Sequence, residues 1–241
     1  MLNTFSEVGI STAIVTGAGS GIGRAVASGL RSKGWKVALV GRRAESLEET
    51  ATLMHEGPEG EGYMVLPADV SRESEVRRLV QQVRAKWGRI DALINNAGVA
   101  PLLPIEATTM ELLEEVFGAN TFGPALLIAA VLPIFNEQGG HGTVINISSL
   151  AARDPFPGFF VYAASKAALE SLARSIRNEV PSVTTFNLRV GAADTDMIRG
   201  IFTKDQLAGF TLLSPDRVAR TVVDCIEGKV DPTDGTIEIT A

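Results

Sequence analysis

The feature that most constrains this chain is an alternation of short apolar runs with amphipathic stretches, repeated from one end of the sequence to the other. The runs TAIVT (12–16), KVALV (36–40), YMVL (63–66), ALIN (92–95), TVINI (143–147), VTTFNL (183–188) and TIEIT (236–240) are rich in β-branched residues. Most are apolar on both faces, the pattern of strands buried in a parallel sheet. The stretches 22–34, 44–56, 73–88, 110–133 and 161–180 carry apolar residues at helical spacing. Strand–helix order repeated in this way predicts right-handed βαβ units and a doubly wound parallel sheet with helices on both faces. No Ser/Gly-rich linker, low-complexity segment or shift in composition divides the chain, so a single α/β domain over 1–241 is expected. Ligands of such sheets bind at the carboxyl ends of the strands.

Composition narrows the partners. Apolar residues make up 45% and charged residues 21%, ordinary for a soluble globular chain. The formal net charge of −6 and the lack of a basic run argue against nucleic acid or an anionic membrane as a partner. MLNTFSEVGISTAIVTG has neither the charged nor the apolar region of a secretory signal, and PALLIAAVLPIF is short and interrupted by Pro133. No membrane span and a cytoplasmic location are therefore expected. A single cysteine, Cys225, excludes an intrachain disulfide and fits a reducing compartment. With His55 and His141 as the only histidines, no metal site is expected.

The first run leads directly into TGAGSGIGRA. Glycines at 17, 19, 21 and 23 allow a tight turn and close backbone approach to a ligand. The helix that follows offers free N–H groups and a partial positive charge to a pyrophosphate. A turn that merely packs helix on sheet would use the same residues, but the strand–turn–helix context favours binding. The spacing is T-G-x-x-x-G-x-G, with Ile22 between the last two glycines, and not G-x-G-x-x-G. Further along, VYAASKAAL sets Tyr162 and Lys166 one helical turn apart. That pairing arises by accident in about one such chain in twenty, so it carries weight only beside other motifs.

Four motifs supply that context: TGAGSGIG at 16–23, NNAG at 95–98, NISS at 146–149 and YAASK at 162–166. In order and spacing they resemble the short-chain dehydrogenase/reductases, from about residue 10 to residue 200. The resemblance implies a Rossmann-type fold and a dinucleotide held at Gly17, Ser20, Gly21, Ile22 and Gly23. It sets Asp69 near the adenine amino group, Val70 beside the ring, and Asn96, Ala97 and Gly98 against the cofactor. It makes Tyr162 the acid/base, Ser149 the group that orients the substrate, and Asn120 the support of a proton relay to Lys166. Lys166 holds the nicotinamide ribose, and Thr195 lies near the nicotinamide carboxamide. Plainer readings stand beside these. Asp69 or Ser71 would cap the next helix, Asn120 would satisfy a local backbone bond inside a helix, and Thr195 would cap a short helix.

The second strand ends VALVGRR, so Gly41 stands where an acid would bind a ribose 2′-hydroxyl, and Arg42 and Arg43 follow. Guanidinium groups suit a 2′-phosphate, and NADP(H) is expected, with NAD(H) as the alternative. The competing reading makes both arginines solvated charges with local Glu partners. At the reacting centre, a phenol that takes a proton near neutrality needs its pKa lowered by roughly two to three units, or about 3–4 kcal/mol. One ammonium about 4 Å away at an effective dielectric near 20 supplies about 4 kcal/mol. In the reductive direction the neutral phenol needs no shift. Ser148 should face away from Ser149 and serve the structure. A serine hydrolase is excluded, since neither histidine is placed as a base and NISSL lacks the nucleophile elbow.

The expected activity is interconversion of a ketone or aldehyde and an alcohol. The alternatives are a non-catalytic dinucleotide sensor or scaffold, and an isomerase or dehydratase. Val190 stands where the family has proline, which predicts a looser or differently turned loop. Residues 190–214 are expected to cover the substrate, with Met197, Ile198, Ile201, Phe202, Leu207 and Phe210 as apolar candidates and 154–160 as a second rim. The C-terminus lacks the V-D-G-G ending of members that reduce acyl-carrier-linked ketones. By resemblance, the helices at 109–132 and 161–180 imply a homodimer or homotetramer.

Overall fold

Residues 10–54, 61–209, 211–231 and 235–241 are described in the computed structural model. His55, Glu56 and Phe210 lie outside the described residues. Seven strands form in chain order: β1 (Thr12–Thr16), β2 (Lys36–Gly41), β3 (Tyr63–Pro67), β4 (Ala92–Asn95), β5 (Gly142–Ser149), β6 (Val183–Val190) and β7 (Thr236–Ile239). They lie side by side in the order β3-β2-β1-β4-β5-β6-β7, every pair parallel. The order reverses between β1 and β4, which opens a crevice at their carboxyl ends.

The longer helices are α1 (Gly21–Ser32), α2 (Ala44–Leu53), α3 (Glu73–Trp87), α4 (Met110–Phe117), α5 (Gly123–Glu137) and α6 (Phe160–Glu179). The short α7 (Asp196–Ile201) and α8 (Lys204–Leu207) precede α9 (Pro215–Ile226). Alternate strand residues enter opposite layers. Ala13 and Val15 of β1 pack in one layer with Val26 and Leu30 of α1 and Val218 and Val222 of α9. Ile14 enters the other layer, with Val80 and Val83 of α3 and Leu127 and Val131 of α5.

Three elements differ from expectation. Helix α9 was not anticipated, although its start is chemically ordinary. Ser214 accepts a hydrogen bond from the Arg217 N–H at 3.2 Å, Pro215 opens the first turn, and Val218, Val222 and Cys225 are buried. The helix expected over 110–133 is interrupted by a π-turn at Gly118–Phe122, where the Gly123 N–H bonds the Gly118 carbonyl. It then runs through Pro133 to Glu137, because Ile134 and Phe135 beyond the proline are buried in the core. By sequence this apolar run is too short to span a bilayer. The continuous helix Met110–Glu137 is long and apolar enough by length and composition, with mean hydropathy 1.6 over 18 residues, but Leu127, Val131 and Phe135 pack within the domain. Finally, β6 reaches Val190, in register with Ser149 on one side and Ile239 on the other. Valine keeps the N–H that proline lacks, so the strand continues and the loop after it is not loosened. That loop is pinned by the Asp194 N–H to the Leu213 carbonyl and the Leu213 N–H to the Ala192 carbonyl, both 2.8 Å.

A row of amides crosses the sheet interior. Asn95, Asn146 and Asn187 sit at matching positions of β4, β5 and β6. Asn95 Nδ2 donates to Asn146 Oδ1 at 2.9 Å, and Asn146 Nδ2 donates to Asn187 Oδ1 at 3.1 Å. Asn187 Nδ2 donates in turn to the Glu170 carbonyl of α6 at 3.3 Å.

Pro133 is solvent-exposed and sits mid-helix, where it removes a backbone donor. Pro133→Ala is expected to stabilise the fold by about 1–3 kcal/mol, the helix gain less the lost rigidity of the unfolded chain. Urea unfolding of the two proteins checks the direction; an unchanged or lower midpoint overturns it.

Candidate active site

The turn after β1 needs glycine for two separate reasons. Gly17 and Gly21 adopt positive φ angles of 64° and 50°. A Cβ on Gly23 would run into the Gly17 carbonyl and the Asn96 side-chain amide. The turn is held from the protein side. Thr50 Oγ1 donates to the Ala18 carbonyl at 2.8 Å, and Arg24 Nη2 donates to the Gly19 carbonyl at 2.5 Å. Asn96 Nδ2 donates to the carbonyls of Thr16 and Gly17 at 2.9 and 3.2 Å. Ser20, in extended conformation, precedes α1 without a side-chain cap, so the first turn keeps donors for an anion.

At the β2 end, Arg42, Arg43, Ser46, Asp69 and Val70 line a cavity of about 450 Å³ with Gly17 and Gly19. Among the described residues, neither arginine forms an ion pair with Glu45, Glu48 or Glu49; Glu49 pairs with Arg24 at 3.0 Å. Asp69 Oδ1 accepts from the Ser71 hydroxyl at 2.7 Å and the Ser71 N–H at 3.0 Å. Partial burial pushes the Asp69 carboxyl up, but these hydrogen bonds together with Arg42 and Arg72 outweigh it and hold the carboxyl below its ordinary value. Arg72 occupies the cap position of α3, so neither Asp69 nor Ser71 caps that helix.

Ser149, Tyr162 and Lys166 meet at the carboxyl end of β5 and line a second cavity, of about 530 Å³. Ser149 Oγ accepts the Ala151 N–H at 3.1 Å, which leaves its proton for the Tyr162 oxygen, to which it is hydrogen-bonded. Ser148 turns inward and donates to Glu170 Oε1 at 2.8 Å, and Arg189 holds that carboxylate from the other side at 2.8–2.9 Å. The electrostatics depart from the simple lysine–tyrosine pair. Burial raises the Tyr162 pKa, and the Ser149 hydrogen bond offsets this only in part. Lys166 Nζ donates to the Ile147 carbonyl at 2.8 Å and stands 5.8 Å from the Tyr162 ring centroid. Burial lowers its own pKa to about 8. The expected lowering of the phenol by an ammonium near 4 Å is therefore absent in this geometry, because desolvation dominates both groups.

Asn120 is buried within the π-turn. Its Oδ1 accepts the Val99 N–H, while Nδ2 donates to the Val99 carbonyl and Ser165 Oγ, each at 2.9 Å. The side chain thus clamps the chain after NNAG to α6 and makes no hydrogen bond to Lys166. The bond it satisfies is long-range, not the local one of the plainer reading. Thr195 precedes α7 but does not cap it; its Oγ1 donates to the Ala193 carbonyl at 3.3 Å and its methyl lies against Gly21. Met197, Ile198, Ile201, Phe202 and Leu207 all line the larger cavity. Arg24, Thr50, Val99 and Ser165 were not singled out from sequence, since their partners lie 5–45 residues away.

The family model described as short chain dehydrogenase matches residues 11–206. The chain belongs to the short-chain dehydrogenase family. An uncharacterized oxidoreductase of Listeria monocytogenes is 34% identical over 229 residues, covering 90% of this chain and 91% of its own. Among solved structures, a 3-ketoacyl-(acyl-carrier-protein) reductase from Brucella melitensis complexed with NADH superposes with a TM-score of 0.87 at 25% identity, covering 95% of this chain and 96% of its own. An alcohol dehydrogenase from the archaeon Thermococcus sibiricus complexed with 5-hydroxy-NADP gives 0.82 at 27% identity, covering 97% of this chain and 96% of its own. Within this oxidoreductase family, the Asn96 side chain of the present chain is spent on holding the glycine turn.

Tyr162 is expected to remain a neutral phenol well beyond physiological pH. Because Tyr63 is the chain's only other tyrosine, subtracting the ultraviolet phenolate titration of Tyr162→Phe from that of the wild type isolates it. The difference should rise above pH 10, and a midpoint near 7 would mean that charge, not burial, controls the group. Gly23→Ala should cost roughly 2–4 kcal/mol in thermal or urea stability, since neither the Gly17 carbonyl nor the Asn96 amide can move without breaking the turn.

Proposed function

We propose that this chain is an NADP(H)-dependent oxidoreductase that interconverts a ketone or aldehyde and the corresponding alcohol. The observation that carries the proposal is the meeting of hydrogen-bonded Ser149 and Tyr162 with Lys166 on the wall of the larger cavity. The two cavities share Gly17, Ser20, Ala97 and Gly98, so they form one elongated cleft along the glycine turn. Its shape and donor set fit a dinucleotide: the uncapped α1 N-terminus for the pyrophosphate, and Asp69 and Val70 for the adenine. Gly41, which carries no acid to repel a phosphate, and the unpaired-by-glutamate Arg42 and Arg43 support NADP(H) over NAD(H). Bound there, the nicotinamide supplies or accepts the hydride.

The protein's own groups do the rest. Ser149 donates to the carbonyl oxygen and holds it beside the phenol. Tyr162, a neutral phenol whose pKa desolvation raises further, gives its proton to that oxygen as negative charge develops. Lys166 holds the ribose hydroxyls from the floor of the cleft. Asn120 acts through Val99 and α6, keeping the cleft wall and the helix of Tyr162 and Lys166 in place. A reducing cytoplasmic setting is part of the proposal, supported by Cys225, a lone buried thiol whose pKa burial pushes up to about 12. So is a homodimer or homotetramer, supported by Ile105, Met110, Phe122 and Phe160, large apolar side chains more than half exposed beside α4 and α6. Light scattering of the eluting protein reads that state directly.

Fluorescence titration with NADPH and NADH tests the cofactor. NADPH is expected to bind more tightly, and Arg42→Ala to weaken NADPH by about 10- to 100-fold while leaving NADH nearly unchanged. Equal or NADH-favoured binding overturns the phosphate reading. With NADPH bound, Tyr162→Phe should slow carbonyl reduction by about a thousandfold or more at unchanged cofactor affinity. Binding without turnover of any carbonyl would favour a sensor or scaffold, and product formation without NADPH consumption an isomerase or dehydratase.

A further inference from the structure

Beyond the reacting residues, the larger cavity is walled by Leu102, Phe156, Phe159, Ile198, Ile201 and Phe202. Phe159 extends the surface of the reacting phenol. Its ring centroid is 5.3 Å from that of Tyr162 and 6.4 Å from that of Phe202, the latter nearly edge-on at 68°. Among the described lining residues, Lys166 is the one charged side chain, and it is buried and already bonded to the Ile147 carbonyl.

The cations near the cavity segments lie outside it. Arg199 of α7 pairs with Asp194 at 2.8 Å, and Arg153, beside the 154–160 rim, pairs with Asp154 at 2.7 Å and also contacts Glu238. Neither lines the cavity, and neither does Lys204 of α8. An anionic substrate would shed water on entering and, away from Lys166 at the reacting centre, meet no counter-charge along the apolar walls. A flat or branched hydrocarbon body would gain from the same walls.

We propose that the substrate is an uncharged, hydrophobic ketone or aldehyde with a ring or branched body next to its carbonyl, and that the cavity rejects carbonyl compounds bearing a carboxylate or phosphate. The inference rests on the oxidoreductase reading for its chemistry, but the selectivity belongs to the walls and is measurable without turnover. Rejection arises from an unpaired buried charge, a stronger filter than a poor fit of apolar groups.

The test uses propiophenone, α-tetralone and cyclohexyl methyl ketone, each beside an analogue carrying one ring carboxylate. Both kcat/KM with NADPH and calorimetric affinity for the full chain are measured. Each neutral ketone is expected to exceed its carboxylate partner by about 100-fold or more in both readouts. Ile198→Arg should narrow that ratio at least about tenfold, and Phe202→Ala should raise KM for the neutral ketones with NADPH affinity unchanged. Carboxylates that bind or turn over as well as their neutral partners overturn the inference, as does failure of all three neutral ketones to bind. Preferential binding of the neutral ketones without reduction sinks the oxidoreductase reading and leaves the selectivity of the cavity standing.

Discussion

The hydroxyl of Thr16, buried between β1 and β4, joins the two halves of the sheet where their order reverses. It accepts the N–H groups of Asn96 and Ala97 at 2.9 and 3.0 Å and donates to the Ile94 carbonyl at 3.2 Å. Strand ends at such a crossing leave backbone groups without ladder partners, and a buried unpaired donor costs about 1–3 kcal/mol. One side chain settles three of them. Because the Asn96 side chain reaches back to Thr16 and Gly17, the glycine turn, the start of α1 and the floor of the cleft are all fixed relative to that point. The site is therefore built on the sheet and inherits its rigidity.

Around the reacting centre, burial outweighs charge. Tyr162 and Lys166 share a helix face, yet the lysine spends its hydrogen bond on β5 and both groups are pushed toward their neutral forms. In the proposed reduction, a phenol that keeps its proton is the form that can give one. The carboxylate of Glu170 lies one layer deeper, bonded by Ser148 and Arg189, where it braces the end of β5 without facing the cavity.

Much of this was legible in the sequence because it is local or periodic. The seven apolar runs, the glycine turn and the Tyr162–Lys166 spacing each follow from a short repeat distance and the chemistry of the residues at it. What escaped depends on partners brought together only by folding. Nothing in ANTF shows that Asn120 grips Val99, and nothing in GRAVA shows that Arg24 reaches the Gly19 carbonyl and Thr50. Val190 misled for another reason. Read as a missing proline it implies looseness, whereas β6 runs on through Val190 in register with Ser149 and Ile239. The run through Pro133 failed similarly, since two buried residues beyond the proline, Ile134 and Phe135, outweigh the local penalty. Helix α9, by contrast, is written in local signals: Ser214, Pro215 and the spacing of Val218, Val222 and Cys225 are ordinary for a helix.

The amide row of Asn95, Asn146 and Asn187 bears on how the sheet finds its alignment. Hydrophobic alternation forbids a slip of one residue only where one face of a strand is polar, and nowhere forbids a slip of two. In a central sheet that is apolar on both faces, such a frame shift is the nearest competitor of the native state. Shifting β5 by two residues would set Asn146 opposite Leu93 or Ala97 on the β4 side and part it from Asn187 on the β6 side, which breaks the amide row in the interior. The three asparagines thus act as a reading frame for strand assembly, trading some hydrophobic burial for a single permitted alignment.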